Sequence, residues 1–317
     1  MKWQCRWATQ QDRDALLSLF LSAFEHPMMA SLWAWKYAWQ DEFGVLAYND
    51  ESIIAYYGGL PRSLWLQKKT FNAIQICDVM VAPKTRGVLT KKGAFFQTAN
   101  NFLKEKTGEK KPYRFAFGFP SGRHARLGEI AGLYTRVDTL LEANWPATAS
   151  LKTSVLFKTE PVSDHDETVI NTLWHAMQKS LPDFLLPQKD AHFFNWRYLD
   201  HPTHVYSAKI VSWKWTNKII GIVVLRDHGP EQGVELIDVL GSPEDLALLL
   251  KAAQAHAKQI NRARIFSWLT PNILSRLPKP LTQYEITGIH IATPDLENMA
   301  DQLQSRCWLM GGDTDFR

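Results

Sequence analysis

The chain is poor in cysteine, has no long apolar run and carries little net charge. Its three cysteines, Cys5, Cys77 and Cys307, are odd in number and far apart, which predicts reduced thiols instead of a disulfide framework. We therefore expect an intracellular, cytoplasmic protein. No apolar stretch approaches the roughly 18 residues of a transmembrane helix, and the polar N-terminus does not resemble a signal peptide.

The net charge of +4 does not indicate a nucleic-acid-binding protein, and it is compatible with an anionic small-molecule ligand. The chain has neither a G-x-S-x-G nucleophile elbow nor a G-x-x-x-x-G-K phosphate loop. His201 and His204 have no cysteine or carboxylate at metal-ligand spacing, so no metal site is predicted. Apolar residues make up 45% of the 317 residues, which predicts a globular protein with an ample core.

One stretch, residues 75–108, combines a strand, a basic bend and a helix. Isoleucine, valine and methionine predict a buried strand, and Pro83 ends it because proline has no N–H to pair. Apolar residues at helical spacing follow, and Gly108 is placed to end that helix. Because a helix N-terminus attracts anions, the bend is a candidate site for a polyanion such as a pyrophosphate. Taken alone, this stretch favours the alternative, an ordinary solvated basic turn, because runs of charge usually lie on the surface. The cations of the bend are Lys84, Arg86, Lys91 and Lys92.

The order of elements begins again in the second half of the chain. Trp196–Tyr198 matches Trp35–Tyr37, which lies 161 positions earlier, and Asp238 matches Asp78, which lies 160 positions earlier. A repeat of this length is too long for a solenoid and predicts two related globular domains.

We place the boundary of these domains at a polar, proline-containing linker, residues 159–166. The prediction is an N-terminal α/β domain at 1–160 and a C-terminal α/β domain at 161–317. In the second domain Pro243 is followed by Glu244 and Asp245, whose carboxylates repel phosphate. An anionic cofactor is therefore expected in the first domain.

These features together resemble the GNAT superfamily of acetyltransferases. The resemblance rests on Arg6–Thr9 with Asp12 ahead of the first helix, on a meander of strands, and on the Val-Ala-Pro-x-x-Arg-Gly motif at Val81–Gly87. The second half resembles the same fold more weakly, and the two halves together resemble tandem GNAT and FemABX-type transferases. The resemblance implies that each domain is a mixed, twisted sheet flanked by helices.

Proteins of this family transfer an acyl group from acetyl-CoA, or another acyl-CoA, to an amine by direct attack. The resemblance implies that the strand backbone at Val79, Met80 and Val81 holds the pantetheine arm and polarises the thioester carbonyl. It also implies that the pyrophosphate is bound along the bend, at Arg86, Gly87, Val88, Leu89, Thr90 and Lys91. Two places depart from the family pattern: Leu89 and Lys91 replace small residues, and the family's tyrosine falls on Gly128.

Three residues are candidates for catalysis. Asp78 in the key strand is a candidate base, and a structural hydrogen bond is the alternative because Asp238 recurs in the second half. Glu129, near the end of the first domain's last helix, is a second candidate. Tyr134 is a candidate proton donor to the leaving thiolate, and packing on the sheet is the alternative.

The favoured function is transfer of an acetyl or acyl group to an amine of a small-molecule or peptide acceptor, with no nucleic-acid partner. The alternatives are a non-catalytic binding protein with degenerate domains and a FemABX-like aminoacyl transferase. Stabilisation by an acyl-CoA would distinguish the enzyme from the binding protein. The sequence identifies neither the acceptor nor the oligomeric state.

Overall fold

The structure is a computed structural model, which describes residues 3–50, 52–87, 91–148, 156–293 and 296–317. It divides into two compact units. Unit 1 comprises residues 1–63, 71–137 and 288–302, and unit 2 comprises residues 64–70, 138–287 and 303–317. The predicted domains were continuous, whereas each unit is assembled from three segments. The predicted α/β class is confirmed, because both units are sheets flanked by helices.

Unit 1 is a mixed sheet with four helices ahead of residue 131. The strand order is β1-β2-β3-β4-β5-β13, in which β4 and β5 are parallel and β5 and β13 are antiparallel. The strands are β1 (Gln4–Trp7), β2 (Gly44–Tyr48), most of β3 (Ile53–Leu66), most of β4 (Lys69–Val81), β5 (Ala116–Gly118) and the last five residues of β13 (Thr282–Ala292). The helices are α1 (Arg13–Phe24), α2 (Ala30–Tyr37), α3 (Ala94–Lys106), α4 (Gly122–Ile130) and most of α10 (Leu296–Leu303).

The core of unit 1 consists of separate apolar clusters formed by its helices and its sheet. In α1, Leu16, Leu19 and Phe20 recur at helical spacing and pack with the aromatic side chains of α2. In α3, Ala99 and Phe102 repeat the same spacing and pack against the strands in a second cluster. Each large apolar side chain that is fully buried contributes about 1.5–3 kcal/mol to the free energy of unfolding.

The strands of unit 2 are also mixed in direction, in the order β6-β12-β11-β10-β9-β7. Over the registers of the described residues, β11 and β12 are parallel, and the other neighbouring pairs in this order are antiparallel. The strands are β6 (Thr135–Pro146), β7 (Phe157–Pro161), β9 (Ser207–Trp213), β10 (Ile219–Asp227), β11 (Val234–Gly241) and β12 (Arg264–Leu269), and β8 (Leu186–Pro187) pairs with the end of β3. The helices are α5 (Glu167–Ser180), α6 (Ala191–Phe194), α7 (Gly229–Gln232), α8 (Leu246–Gln259) and α9 (Pro271–Leu274).

The central strand of unit 2 is β11, in which all eight residues are buried. Helices α5 and α8 both pack against it, so its sequence is a nearly continuous apolar run, as expected for a strand covered on both faces. Its one aspartate, Asp238, is held by the Lys189 ammonium at 2.6 Å and by the Tyr198 hydroxyl at 2.5 Å. Across the described residues, no helix combines the length and the apolar character that crossing a membrane requires.

Candidate functional site

A cavity of about 520 Å³ lies in unit 1 beside the point where β4 and β5 part. The two strands pair at Ile74–Ala116 and Gln75–Phe117, and β4 then runs on to Val81 beyond its last pair with β5. The cavity is walled by β4, the bend after it, the first turn of α3, one face of α4 and the end of α1. Among the described residues, no register with β5 is found opposite Val79 or Val81 on this edge of β4.

An irregularity at Asp78 decides which β4 side chains face the cavity. In a regular strand, neighbouring side chains alternate between the two faces. Here Ile76 and Val79 both pack in the α3-side cluster, whereas Cys77 and Met80 both pack in the α1–α2 cluster. Asp78 has a φ of 49°, in the left-handed region, and it adds one residue to the alternation as a β-bulge does.

As a result, Val79 and Val81 line the cavity, and Met80 is buried against the α1–α2 side. The three residues were predicted together because the backbone at these positions was expected to bind pantetheine. The structure thus places two of the three side chains at the cavity.

The Asp78 side chain is enclosed by residues of α2. The Lys36 ammonium lies 2.9 Å from Oδ2, and the Tyr37 hydroxyl donates a hydrogen bond of 2.6 Å to the same oxygen. The side chains of Lys36 and Asp78 are only 3% and 8% exposed, so the charges form a buried pair. Burial, followed by the nearby Asp78 carboxylate, raises the pKa of Tyr37 well above its usual range. Asp78 does not line the cavity.

The bend and the start of α3 present hydrogen-bond donors to the cavity. After the 3-10 turn Pro83–Thr85, Gly87 has a φ of 102°, which favours glycine. Gly93 is the N-cap of α3, and the first bond of the helix runs from the Gln97 N–H to the Gly93 carbonyl. The preceding amides, at Ala94–Phe96, have no partner within the helix, and these residues line the cavity. Val88, Leu89 and Thr90 lie outside the described residues.

Arg86 joins two elements of the cavity wall. Its Nη2 donates to the Ala23 carbonyl at 2.7 Å, and its Nε donates to the Val81 carbonyl at 3.0 Å. The guanidinium therefore caps the last turn of α1 and attaches it to the end of β4, where a cation is favoured by the helix dipole.

The charge around the cavity is positive. Arg86, Lys91 and Arg123 all line it, and its described lining includes no carboxylate. Three cations together with a helix N-terminus attract an anionic group such as a phosphate. Of the residues predicted for the pyrophosphate, the structure brings Arg86, Gly87 and Lys91 together here.

The α4 wall combines apolar side chains with His124. The His124 ring packs edge-on against Phe95, with 4.9 Å between centroids, and its Nε2 is shielded from solvent without a hydrogen-bond partner among the described residues. Burial, followed by the nearby His290, lowers the pKa of His124 to about 4. Leu127 and Ile130 continue the same face of the helix. The signal in the sequence is the spacing of three residues between His124 and Leu127, which places both on this face of the helix.

Tyr134 occupies the space beside Gly128. A Cβ atom on Gly128 would lie 1.9 Å from the Tyr134 ring, so the tyrosine fits only against a glycine. The Tyr134 and Tyr57 hydroxyl oxygens are 2.9 Å apart, and burial raises the Tyr134 pKa above its usual value. Tyr134 contacts His124 and Phe95 through its ring, and it does not itself line the cavity.

Glu129 is paired with a histidine away from the cavity. Its Oε1 lies 2.9 Å from His290 Nε2, and 44% of its side chain is exposed, whereas that of His290 is buried. None of the three acid–base candidates, Asp78, Glu129 and Tyr134, lines the cavity, and their catalytic roles stay predictions.

Residues 4–126 match a family model described as an acetyltransferase (GNAT) domain. A comparison with curated proteins finds no match. Among solved structures, the chain resembles an Enterococcus faecalis V583 protein described as a probable N-acyltransferase, with 11% identity, 92% of this chain and 72% of that chain covered, and a TM-score of 0.68.

Two further solved structures are similar. A GCN5-related N-acetyltransferase from Anabaena variabilis ATCC 29413 has 14% identity and a TM-score of 0.68, and 92% of this chain and 72% of that chain are covered. The N-myristoyltransferase of Saccharomyces cerevisiae with bound myristoyl-CoA has 10% identity and a TM-score of 0.57, with coverage of 96% and 84%. At these identities, the similarity is one of fold.

Proposed function

We propose that this protein transfers an acyl group from an acyl-CoA to an amine, since residues 4–126 match the model of an acetyltransferase (GNAT) domain. The acyl-CoA binds in the cavity of unit 1. The observation that carries the proposal is the parting of β4 from β5 beside the N-terminus of α3. At this point the edge of β4 beyond its pairs with β5 and the N-terminal end of α3, which carries partial positive charge, line the same cavity.

The residues of the cavity fit the parts of acyl-CoA. Phosphate groups suit the first-turn amides of α3 with Lys91 and Arg123, because charge-assisted hydrogen bonds are the strong ones. The pantetheine arm alternates amides with short apolar segments. The free edge of β4 at Val79 and Val81 offers amides, and Phe95 and Leu127 offer apolar surface.

The chemistry needs little beyond positioning and carbonyl stabilisation. An amine attacks the thioester carbonyl directly, and the oxygen gains negative charge as the tetrahedral centre forms. Backbone N–H groups that are already oriented stabilise such a charge most effectively in a site from which water is excluded. The β4 edge beyond Gln75 supplies fixed backbone groups for this purpose.

One observation favours a second function, that of a binding protein without catalysis. The acid–base candidates identified in the sequence are engaged elsewhere: Asp78 with Lys36 and Glu129 with His290. A domain that retained the cavity and lost proton transfer would bind an acyl-CoA without turning it over. The two functions differ in thiol release and not in affinity.

Calorimetric titration of CoA into the wild-type protein tests the proposed site. Lys91→Glu should raise the dissociation constant of CoA at least about 10-fold, since a charge-assisted hydrogen bond contributes roughly 1.5–3 kcal/mol to binding. Lys84→Glu is the matched control, because Lys84 is exposed on the same bend and does not line the cavity. Absence of CoA binding to the wild-type protein, or equal effects of the two substitutions, would contradict the proposed site.

Turnover is measured separately, as thiol release from acetyl-CoA in the presence of a panel of primary amines. Release that depends on the amine supports acyl transfer. Binding without any release would favour the non-catalytic alternative.

A further inference from the structure

We infer that the α4 end of the unit 1 cavity, formed by Leu127, Ile130 and Ala131, binds the acyl chain of the donor, and that this chain is longer than acetyl. The inference rests on the proposed function, because it names the class of acyl-CoA that the same site takes. The donor is accordingly an acyl-CoA with a chain of medium length, of which octanoyl-CoA is the probe.

The face of α4 that lines the cavity changes in character along the helix. Arg123, Leu127 and Ile130 are spaced by four and then three residues, so they lie on one face, and all three line the cavity. Arg123 is a cation near the start of the helix, whereas Leu127 and Ile130 are apolar. Along the helix axis, Arg123 and Ile130 are about 10 Å apart. A ligand that suits both ends of this face combines an anionic group with an apolar one.

The apolar side chains of this wall are open to a ligand. Ile130 is 75% exposed although it is large and apolar, and Phe24, which α1 contributes to the cavity wall, is 41% exposed. Leu127 is partly buried. An apolar group that covers such side chains removes their surface from water, and this contribution to binding grows with the area that is covered.

The acyl chain is the part of the donor that extends toward Ile130. The phosphates suit Lys91, Arg123 and the first turn of α3, and the pantetheine arm leads away from them along the edge of β4. The acyl group is attached at the far end of that arm. An acetyl group ends in a single methyl, which is too short to cover both Leu127 and Ile130, whereas an octanoyl chain is long enough to lie across the two.

The charge of the cavity argues against the acceptor as the occupant of this end. A primary amine is a cation in water near pH 7. The described lining of the cavity carries Arg86, Lys91 and Arg123 and no carboxylate, so a protonated amine is repelled from it. The same charges attract the phosphates of the donor, and the apolar end is continuous with the surface that holds them.

Calorimetric titration of CoA, acetyl-CoA and octanoyl-CoA into the wild-type protein tests the inference. We expect octanoyl-CoA to bind at least about 10-fold more tightly than acetyl-CoA, since each methylene group that is fully buried is worth about a fourfold change in affinity. CoA and acetyl-CoA should differ by less than about fourfold, because acetyl adds only one methyl group.

Ile130→Ser tests the contact itself, at a side chain exposed enough that the fold does not depend on it. It should reduce the preference for octanoyl-CoA over acetyl-CoA at least about threefold, and it should change the dissociation constant of CoA less than about twofold. Leu21→Ser is the matched control, because Leu21 is an apolar residue of α1 that is 50% exposed and does not line the cavity. That control and the conservative Ile130→Leu should both keep the preference.

Equal affinities of the wild-type protein for acetyl-CoA and octanoyl-CoA would overturn the inference and leave the proposed function intact. A preference for octanoyl-CoA that survives in Ile130→Ser would overturn it too, because the chain would then bind elsewhere. So would an equal loss of affinity for CoA and octanoyl-CoA in Ile130→Ser, since Ile130 would then contact CoA itself. A wild-type protein that does not bind CoA would overturn both the inference and the proposed function.

Discussion

The Tyr37 hydroxyl lies 2.6 Å from Oδ2 of Asp78, the residue whose left-handed backbone shifts the side-chain alternation of β4. A non-glycine residue in this conformation costs about 1–3 kcal/mol and persists only when its neighbours fix it. Tyr37 and Lys36 provide that fixation. The same relationship recurs in unit 2, where Tyr198 and Lys189 hold Asp238 beside a register shift between β10 and β11. The recurrence favours the structural reading of Asp78 over a catalytic one.

Tyr37→Phe should lower the free energy of unfolding by about 1.5–3 kcal/mol, because a buried carboxylate loses a hydrogen bond. It should also weaken CoA binding, since the bulge that turns Val79 and Val81 toward the cavity is less firmly held. Urea denaturation and calorimetry measure the two effects. Tyr48→Phe, which removes a hydroxyl that donates to the Gln4 amide, is the control and should cost less than about 1 kcal/mol.

A loss of turnover in Asp78→Asn without a loss of stability would contradict this account, because it would indicate that Asp78 acts as a base. Removing one member of a buried ion pair ordinarily costs about 3–5 kcal/mol, and that loss is the expected result.

Gly128→Ala should destabilise unit 1 by about 1–3 kcal/mol, since the new methyl group overlaps the buried Tyr134 ring. Gly122→Ala is the matched control on the same helix, because a Cβ there meets nothing within 4 Å. That substitution should change stability by less than about 1 kcal/mol. Thermal and urea denaturation measure both.

A double variant isolates the contact between these two residues. If the ring is the cause, Tyr134→Ala should remove most of the additional cost of Gly128→Ala. Equal costs of Gly128→Ala in the presence and absence of the tyrosine would refute the steric explanation.

Arg86→Ala should lower stability by about 1–2 kcal/mol and weaken CoA binding, because the last turn of α1 loses its attachment to β4. Arg86→Lys separates geometry from charge: it keeps a cation but lacks the fork that reaches both carbonyls. We expect the lysine variant to lose nearly as much stability as the alanine variant. If Arg86→Lys instead retained full stability, charge alone would account for the role of Arg86.

Acidification should destabilise the protein partly through His124. Its pKa in the folded state is lowered to about 4, whereas an unfolded histidine titrates near 6.5. The unfolded state therefore binds more protons, and this contribution is lost as the pH falls from about 6.5 toward 4. Between pH 7 and pH 4.5 the loss amounts to about 2–3 kcal/mol.

The measurement is the urea midpoint at both pH values for wild type, His124→Gln and His175→Gln. In His124→Gln, the urea midpoint should fall less between the two pH values than it does in the wild type. In the control His175→Gln, at an exposed site in unit 2, it should fall as much as in the wild type. His204, whose pKa is also lowered to about 4, acts in the same direction in all three proteins and cancels in the comparison. An unchanged pH dependence in His124→Gln would show that its ring is not buried in the neutral form.

Much of unit 1 was predictable because the signals are local. The apolar alternation before Pro83 predicted β4, and the helical spacing of Phe95, Phe96, Ala99 and Phe102 predicted α3. The segments of each unit were not predictable in this way. Residues 288–302 join unit 1 from far along the chain, since strand pairing between β5 and β13 depends on partners and not on local sequence.

The sequence by itself determined the elements that flank the basic bend, because periodicity, proline and glycine act on their immediate neighbours. It also determined the match of residues 4–126 to a model of the acetyltransferase (GNAT) domain. The tertiary structure decided which side chains meet. Asp78 adopts a backbone conformation that its contacts with α2 help to hold, and that conformation turns Val79 and Val81 to the cavity and Met80 away from it. The burial of His124 is decided in the same way, because it depends on Phe95 and Tyr134, which pack against the ring from other segments.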